Sequence, residues 1–435
     1  MRTIGVLSLL VTLVGVTGCA AELPPASGDA ASYKIEEVSL GPIPSSVVGF
    51  AISRDGCHVA FVVAKGDKRF VVLDGQAGPE YDGIGEPGPV FSPDGKRVAY
   101  RAKKGGKWCA VLDGQAGPEY EWISFIVSSP DGKRVAYVVR QNGKWFVVLD
   151  GQEGPQYNDL VNLVFSPDGK HVAYEAAGQG YKWRLVLDGQ EVGPKYDNGG
   201  FGSVLFSPDS EHVAYVGGRI AGFESHVLAR KAFVVLDGQP GPEYDGIRTM
   251  RFSPDGKRLA YEAKRGDKWC LVLDGEAGPD YDNVGYPIFS PDGKRMVYEA
   301  GNGGKRCVVF DGQAGPEYDW IGYIWTGRES SVFSPDGKRT AYAAKKGDKG
   351  FMVLDGQEGP QYDAISRPVF SPDGKRVAYV ARRDGSWFVV VDGQPGLEYD
   401  RIAQDDYCFR TDGTVEYLAI KDGTFVRVKH VPVEK

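Results

Sequence analysis

Aspartates recur through this chain in a Tyr-Asp dipeptide that could in principle supply a ring of metal ligands. One such carboxylate stands in most repeats, at Asp82, Asp197, Asp245, Asp282, Asp319, Asp363 and Asp400. A calcium loop takes several oxygen ligands from one short segment, whereas these aspartates are 37 or more residues apart. The spacing therefore predicts hydrogen bonds at strand ends, with no metal site and no cofactor.

Histidines are the second group of residues that could bind a metal or transfer protons. Three of the five, His58, His171 and His212, follow an Asp by three residues, where other copies of the same segment have Arg. His226 lies in a long insertion and His430 lies near the C-terminus. The shared position predicts a role within the repeat for the first three, and leaves His226 as the histidine to test.

Cysteines are too few and too regular for a disulfide framework. Five follow Cys19, at Cys57, Cys109, Cys270, Cys307 and Cys408. An odd number argues against complete pairing. Cys109, Cys270 and Cys307 share one position of the repeat, which predicts small buried side chains.

A repeat of about 37 residues organises the chain, and such repeats decide the fold before any single residue does. A Ser-Pro-Asp-Gly segment marks its phase at Asp94, Asp131, Asp168, Asp255, Asp292, Asp336 and Asp373, with variants at Asp55, Asp209 and Asp412. A second marker, Asp-Gly-Gln or a close variant, follows at Asp74, Asp113, Asp150, Asp188, Asp237, Asp274, Asp311, Asp355 and Asp392. Both markers contain residues that favour turns.

Four short strands, a to d, fit between the turns of each unit. Residues 369–370 represent strand a, 376–380 strand b, 387–391 strand c and 398–402 strand d. Strand c is a continuous apolar run, which suits a sheet buried on both faces. Four strands in about 40 residues match one blade of a β-propeller.

The unit Phe-Ser-Pro-Asp-Gly-Lys-Arg-Val-Ala-Tyr resembles the WD40-like (PD40) repeat of TolB-type β-propellers, over residues 46–431. The resemblance implies an all-β propeller of four-stranded blades. Related blades form the non-catalytic domain of prolyl-oligopeptidase-like enzymes, but the sequence contains no Gly-x-Ser-x-Gly motif of a hydrolase. Residues 20–45 leave no room for the α/β domain that precedes the propeller in TolB.

The N-terminal segment has the pattern of a lipoprotein signal peptide. A short apolar run ends in Val16-Thr17-Gly18-Cys19, small residues before a cysteine that would be lipidated; an ordinary signal peptide is the alternative. We expect a signal peptide at 1–18, a flexible tether at 19–32 and a propeller domain at 33–435. The implied location is the bacterial cell envelope, with the outer membrane favoured, facing the periplasm or the exterior.

Ten units are counted, and the ends of the chain complement each other. Residues 33–39 form a spare strand, whereas the last unit stops after strand c. Pairing of these ends would close a ring and remove its exposed edges. A single ring of ten blades is therefore predicted, and two five-bladed propellers are the alternative.

Departures from the repeat fall on one side of the expected propeller, where the b–c and d–a connections lie. Three insertions occur there, at 198–203, 217–231 and 322–331, together with paired basic residues. Loops on a rigid scaffold commonly carry function. The candidate binding residues on this side are Trp122, Phe125, Phe201, Arg219, Phe223, His226, Tyr286, Trp320, Tyr323, Trp325 and Arg328.

These observations favour a non-catalytic, monomeric propeller that binds an envelope protein or a glycan. A net charge of −7 argues against a nucleic-acid partner. An enzyme acting in the central channel, such as a lyase or glycosidase, is one alternative, and a purely architectural protein is another. The polar residues available for catalysis match no recognised constellation; they are Glu86, Arg248, Arg328, Glu329, Arg367, Gln404 and Asp405.

Overall fold

The part of the chain that the structure describes forms ten antiparallel β-sheets that follow one another in sequence. This computed structural model describes residues 46–197, 204–224, 227–322, 332–402 and 407–431. The predicted signal peptide, the lipidation site at Cys19, the tether and the closing strand at 33–39 lie outside the described residues. Within the described ranges, no helix is long and apolar enough to cross a membrane.

Each sheet is one blade, and its strands are numbered in chain order. Blades 1 to 3 contain β1 (Val47–Ile52), β2 (Val59–Lys65), β3 (Lys68–Leu73), β4 (Gln76–Ala77); β5 (Gly83–Ile84), β6 (Val90–Phe91), β7 (Val98–Lys104), β8 (Lys107–Leu112), β9 (Gln115–Tyr120); and β10 (Trp122–Ser128), β11 (Val135–Gln141), β12 (Lys144–Leu149), β13 (Gln152–Glu153). Blades 4 to 6 contain β14 (Asp159–Phe165), β15 (Val172–Ala177), β16 (Trp183–Leu187), β17 (Gln190–Tyr196); β18 (Leu205–Phe206), β19 (Val213–Glu224), β20 (Val227–Leu236), β21 (Gln239–Pro240); and β22 (Gly246–Phe252), β23 (Leu259–Arg265), β24 (Lys268–Leu273), β25 (Glu276–Ala277).

The remaining four blades follow the same plan. Blades 7 and 8 contain β26 (Asn283–Val284), β27 (Ile288–Phe289), β28 (Met296–Asn302), β29 (Lys305–Phe310), β30 (Gln313–Ala314); and β31 (Trp320–Gly322), β32 (Ala341–Lys346), β33 (Lys349–Leu354), β34 (Gln357–Glu358). Blades 9 and 10 contain β35 (Ala364–Ile365), β36 (Val369–Phe370), β37 (Val377–Arg383), β38 (Ser386–Val391), β39 (Gln394–Pro395); and β40 (Arg401–Ile402), β41 (Cys408–Phe409), β42 (Val415–Lys421), β43 (Thr424–His430). A 3₁₀ turn, Gln179–Tyr181, is the one helical element of the described residues.

Strand a differs from the sequence-based prediction in two ways. It begins several residues before the predicted apolar pair, and a bulge or break interrupts it. The predicted strand d of 398–402 ends too late: Arg401 and Ile402 pair with Ile420 and Ala419 of the next blade. Strand d is instead the short β39, followed by a bridge from Tyr399 to Trp387. The segment after Tyr-Asp therefore starts strand a of the following blade, and a bulge or break separates it from the apolar pair before Ser-Pro.

The insertion at 217–231, predicted as a b–c loop, continues the sheet. β19 and β20 pair as far as Glu224 and Val227, with one register shift between Ile220 and Gly222. Blade 5 thus carries a long two-stranded hairpin at this position.

Hydrophobic contacts join each blade to the next. Nine clusters of buried residues join neighbouring blades, and eight of them combine strands b and c of one blade with strands a and b of the next. The cluster between blades 2 and 3 uses strand c of blade 2. Buried tyrosines from the end of strand d and from the next strand b meet at seven junctions, with ring centroids 5.8 to 6.4 Å apart. Blades 5 and 6 pack through the same kind of cluster, so the chain does not divide there into two five-bladed units.

A polar network holds together the turns on one side of blades 1 to 9, and blade 6 illustrates it. The Asp274 carboxylate accepts hydrogen bonds from the backbone N–H of Leu259 and from Nε of Arg258, both at 2.9 Å. Ser253 Oγ donates to Asp255 at 2.6 Å and accepts from the Arg258 N–H at 3.0 Å. These bonds bring the a–b and c–d turns onto one side, as the repeat predicts.

We expect Asp274→Ala to destabilise the protein by about 2–4 kcal/mol, because it leaves the N–H of the buried Leu259 without its acceptor and places Ala at a positive φ. Asp274 has a φ of 52°, which Asn tolerates better than Ala, so Asp274→Asn should cost less. Urea unfolding measures both. The exposed Glu276, two residues on, supplies the control; equal midpoints for Asp274→Ala and Glu276→Ala would contradict this role.

Candidate functional site

The other side of the blades carries the b–c turns and the start of strand a, where Tyr-Asp lies. Six of the seven Tyr-Asp carboxylates accept a hydrogen bond from a lysine at the start of the preceding strand c. Five of them also accept a backbone N–H from the next blade at 2.7 to 2.9 Å. The strand-end hydrogen bonds predicted for these aspartates are confirmed for these residues, and they connect neighbouring blades.

Electrostatics at these aspartates follow from the same contacts. The hydrogen bond from Lys68 holds the pKa of Asp82 below its usual value, and the N–H of Gly105 acts in the same direction. Lys268 and Gly303 do the same for Asp282. These carboxylates are ionised and engaged in structural contacts. Among the described residues, no three His, Cys, Asp or Glu side chains cluster closely enough to hold a metal ion.

The most variable chemistry occurs where strand a is interrupted, a set of positions that we call the bulge layer. It comprises the residues in the bulge or break of strand a and the strand-b residue opposite them. Register shifts mark it between Ile123 and Ile126, between Val161 and Val164, and between Ile247 and Met250. Bulges re-aim side chains and are common beside functional sites.

Charged side chains replace Val or Ala in the bulge layer of four blades. The strand-b member is Arg101, Glu175, Glu262 or Glu299 in blades 2, 4, 6 and 7. The three glutamates are buried. A buried charge needs a hydrogen-bond or ion-pair partner. The contacts of these four side chains therefore identify the polar residues around each position.

Blades 6 and 7 hold the largest group of such residues. Arg248, in the bulge of blade 6, places its guanidinium carbon 3.4 Å from the ring centroid of Trp269. Its Nε lies 3.2 Å from the buried Glu262 carboxylate, and its Nη2 donates to Oδ1 of Asn283 at 3.1 Å. Burial raises the pKa of Glu262, and Arg248 opposes that shift. Arg248 therefore joins the two blades through charge, stacking and a hydrogen bond.

A polar cavity of about 210 Å³ lies beside this group, in blade 7. Asn283, Glu299, Lys305 and Arg306 line it. Nη1 of Arg306 donates to Oε1 of Glu299 at 2.6 Å. Tyr286, in the break of strand a, is 40% exposed. Arginine, tryptophan and tyrosine together are the side chains that dominate binding energy at protein interfaces.

A second group of aromatic residues surrounds Arg101 at the junction of blades 2 and 3. Its guanidinium carbon lies 5.8 Å from the rings of both Trp108 and Trp122. Nη1 donates to the Ile123 carbonyl at 2.7 Å, and Nη2 donates to the Glu86 carbonyl. Trp122 is 43% exposed and Phe125 is 51% exposed. Two backbone carbonyls therefore hold the Arg101 guanidinium in place, and aromatic rings surround it.

The candidate residues predicted from the sequence are distributed between these groups and other parts of the chain. Trp122, Phe125 and Tyr286 lie in or beside the bulge layer and are exposed. Trp320 is half-buried against the cluster between blades 8 and 9, with the Lys345 ammonium 5.2 Å from its ring centroid. Trp122, Phe125 and Trp320 belong to strand a, not to a d–a loop, because that strand starts directly after Tyr-Asp or its counterpart.

Other predicted residues cannot be placed in the site. Phe201, His226, Tyr323, Trp325 and Arg328 lie outside the described residues. Arg219 and Phe223 belong to β19, and only their backbone is described.

The cysteine and histidine predictions can be compared directly with the structure. Cys109, Cys270 and Cys307 are buried free thiols, as predicted from their shared position, whereas Cys57 and Cys408 are exposed. The three repeat histidines take the place of Arg, and the Nδ1 of each lies 2.6 to 2.7 Å from the aspartate of the c–d turn.

Sequence reasoning missed the buried glutamates of the bulge layer. Their signal was present, because the residue after the strand-b Tyr or Phe is Val or Ala in five blades and Glu in three. Both Glu262 and Glu299 are already ion-paired to an arginine. The arrangement therefore supports binding of a polar partner better than proton transfer to a substrate.

The ten blades and the bulge layer define a repeat-built β-propeller. No protein-family model and no curated protein matches the sequence. Among solved structures, the chain is similar to a crystal structure of the eukaryotic initiation factor, with 13% identity, a TM-score of 0.36, and coverage of 79% of this chain and 96% of that chain.

Two further solved structures are similar over part of the chain. The β-propeller domain of the Trilobed protease from Pyrococcus furiosus has 15% identity and a TM-score of 0.29, over 62% of this chain and 94% of that one. TolB from Acinetobacter baumannii has 17% identity and a TM-score of 0.26, over 51% and 62%. These values carry no argument about function, and the fold assignment rests on the ten sheets themselves.

Proposed function

We propose that this protein is a non-catalytic PD40-type propeller, held on the bacterial cell envelope by a lipid anchor at Cys19, that binds an envelope protein through its bulge-layer side. The Arg248 group carries the proposal. An arginine stacked on Trp269, together with the exposed Tyr286 of the next blade, offers anchors of the type found at the centre of protein interfaces. The predicted outer-membrane location supplies the class of partner.

The charge arrangement indicates what the partner presents. Arg248, Lys305 and Arg306 lie around Glu262 and Glu299, so the cavity offers both donors and acceptors. A matching partner would present hydrogen-bond donors and acceptors to the cavity and an apolar side chain to Trp122 or Tyr286. A glycan could use the same donors and acceptors, and binding of a glycan without any protein is the competing outcome.

Capture from an envelope extract tests the proposal. The bait is the chain from residue 20 onward, which retains every described residue. Arg248→Ala combined with Tyr286→Ala should lower capture of the partner at least about tenfold, because each removes an anchor of the type worth more than 1 kcal/mol. Quantitative mass spectrometry of the bound fraction provides the measurement.

Two comparisons make the outcome interpretable. Arg251→Ala, an exposed position of the same strand β22, should leave capture unchanged. Deletion of 220–229 tests the hairpin of blade 5 as a further part of the surface. Capture that is identical for wild type and the double variant would overturn the proposed site. Binding on a glycan array without a captured protein would replace the protein partner by a glycan.

A further inference from the structure

The opposite side of the propeller contains a second cavity, between blades 4 and 5. Its volume is about 300 Å³. His171, Leu187 and Val192 of blade 4 line one part of it, and Phe206, Glu211 and Asp237 of blade 5 line the other. The repeat itself shows what this space accommodates elsewhere.

At six other junctions an arginine crosses from one blade to the next at the equivalent place. Its Nε donates to the c–d turn aspartate at 2.8 to 3.4 Å. Its Nη1 donates to a backbone carbonyl in the a–b turn of the next blade at 2.5 to 3.3 Å. A guanidinium therefore fills the gap between neighbouring a–b turns.

An aromatic ring completes this guanidinium site. The guanidinium carbons of Arg134, Arg295 and Arg376 lie 5.6 to 5.8 Å from the ring centroids of Phe165, Phe333 and Phe409, which belong to strand a of the next blade. These three junctions thus provide three elements for a planar cation: a carboxylate, a carbonyl oxygen and a phenyl face.

Blade 4 replaces the arginine by a shorter residue and keeps the other elements. Nδ1 of His171 lies 2.7 Å from Oδ2 of Asp188, in the position taken by Nε at the other junctions. The imidazole is shorter than an arginine side chain and does not reach the position of Nη1 and Nη2 at the other junctions. That position is part of the cavity. Phe206 is the counterpart of Phe165, and Glu211 is the counterpart of the lysine whose carbonyl accepts the bond.

Charge and shape of the cavity match the missing group. Glu211 and Asp237 place two carboxylates in its polar wall, where His212 also lies, with its Nδ1 2.6 Å from Asp237. The Nδ1–H tautomer of His171 would present Nε2 as a further acceptor. Leu187 and Val192 give an apolar wall of the kind that an alkyl chain would contact. Val192 is an additional residue of β17, which has one residue more than the equivalent segment of other blades.

We propose that this cavity binds an alkylguanidinium group from outside the domain, replacing the arginine that blade 4 lacks. The group could be a free small molecule or the arginine side chain of a peptide, and both present the same planar cation. This site is independent of the proposed partner surface, because it lies among the a–b and c–d turns.

Calorimetric titration of the chain from residue 20 onward tests the site with agmatine and with the tripeptide acetyl-Ala-Arg-Ala-amide. Agmatine should bind. Putrescine has the same alkyl chain but an ammonium in place of the guanidinium, so it cannot stack on Phe206 and should bind at least about tenfold more weakly. If the tripeptide binds more tightly than agmatine, the natural guanidinium comes from a peptide. If agmatine binds more tightly, it comes from a free small cation.

The repeat supplies its own blocking variant. His171→Arg should fill the cavity with the side chain used at six other junctions, and weaken agmatine binding at least about tenfold without lowering the melting temperature. His58→Arg makes the same exchange in blade 1, where the histidine stacks on Phe91 at 6.4 Å, and should leave binding unchanged. The proposal is wrong if neither probe binds the wild type, if putrescine binds as well as agmatine, or if His171→Arg binds agmatine normally.

Discussion

Cys19→Ala should transfer this protein from the membrane fraction to the soluble fraction of the cell envelope. The segment Val16-Thr17-Gly18-Cys19 predicts lipidation of the cysteine thiol, and buried acyl chains stabilise membrane association by about 0.8 kcal/mol per methylene. Alanine has no thiol to modify, so the whole of this contribution is lost. Fractionation followed by immunoblotting measures the change.

A matched cysteine variant controls for indirect effects. Cys57 is an exposed free thiol of blade 1, and Cys57→Ala should remain with the membrane. If Cys19→Ala stays in the membrane fraction as completely as wild type, the lipoprotein prediction is wrong and another element must hold the protein there.

Deleting 33–39 should lower the melting temperature by about 5–10 °C. Three apolar residues of this segment, Tyr33, Ile35 and Val38, would each contribute about 1.5–3 kcal/mol if buried in a closing strand. A loss of 1 kcal/mol shifts the melting temperature by about 2–4 °C in domains of moderate size and by less in larger ones. Differential scanning calorimetry measures the shift.

The terminal blades explain why a closing strand is expected. Blade 10 has no strand d among the described residues, and β43 pairs there with β42 alone. Phe425 is 78% exposed in β43, and Phe50 is 58% exposed in β1. Deletion of 22–28, an equally long part of the tether, should leave the melting temperature unchanged. If both deletions behave alike, residues 33–39 do not close the ring.

The sequence predicted the blades well because their limits are set by turn chemistry. Asp-Gly pairs fix where the a–b and c–d turns fall, since Asp274 and its counterparts adopt a positive φ and accept the N–H of the following strand. All ten phase points became sheets. The apolar run of strand c, such as 387–391, lies almost unchanged within β38.

The sequence was less informative where tertiary contacts decide the structure. Arg401 and Ile402 belong to strand a because they pair with Ile420 and Ala419 of the next blade. Local strand propensity carries no information about such a pairing. The hairpin of β19 and β20 has the same cause. Arg248 was among the polar residues that depart from the repeat, but its contact with Glu262 depends on a bulge that only the pairing register reveals.

The junctions between blades also bear on how a gene of this kind can change in length. Six units of the repeat bring an arginine for the turn of the next blade, and at three of these junctions a phenylalanine of the next blade lies over it. An in-frame duplication of one unit would keep both outer interfaces and add one new interface, between the unit and its copy, built from the same kinds of contact. Loss of one unit would rejoin surfaces that already fit. The number of blades can then drift by whole units, whereas an insertion within a unit must be absorbed by a connection, as in blade 5.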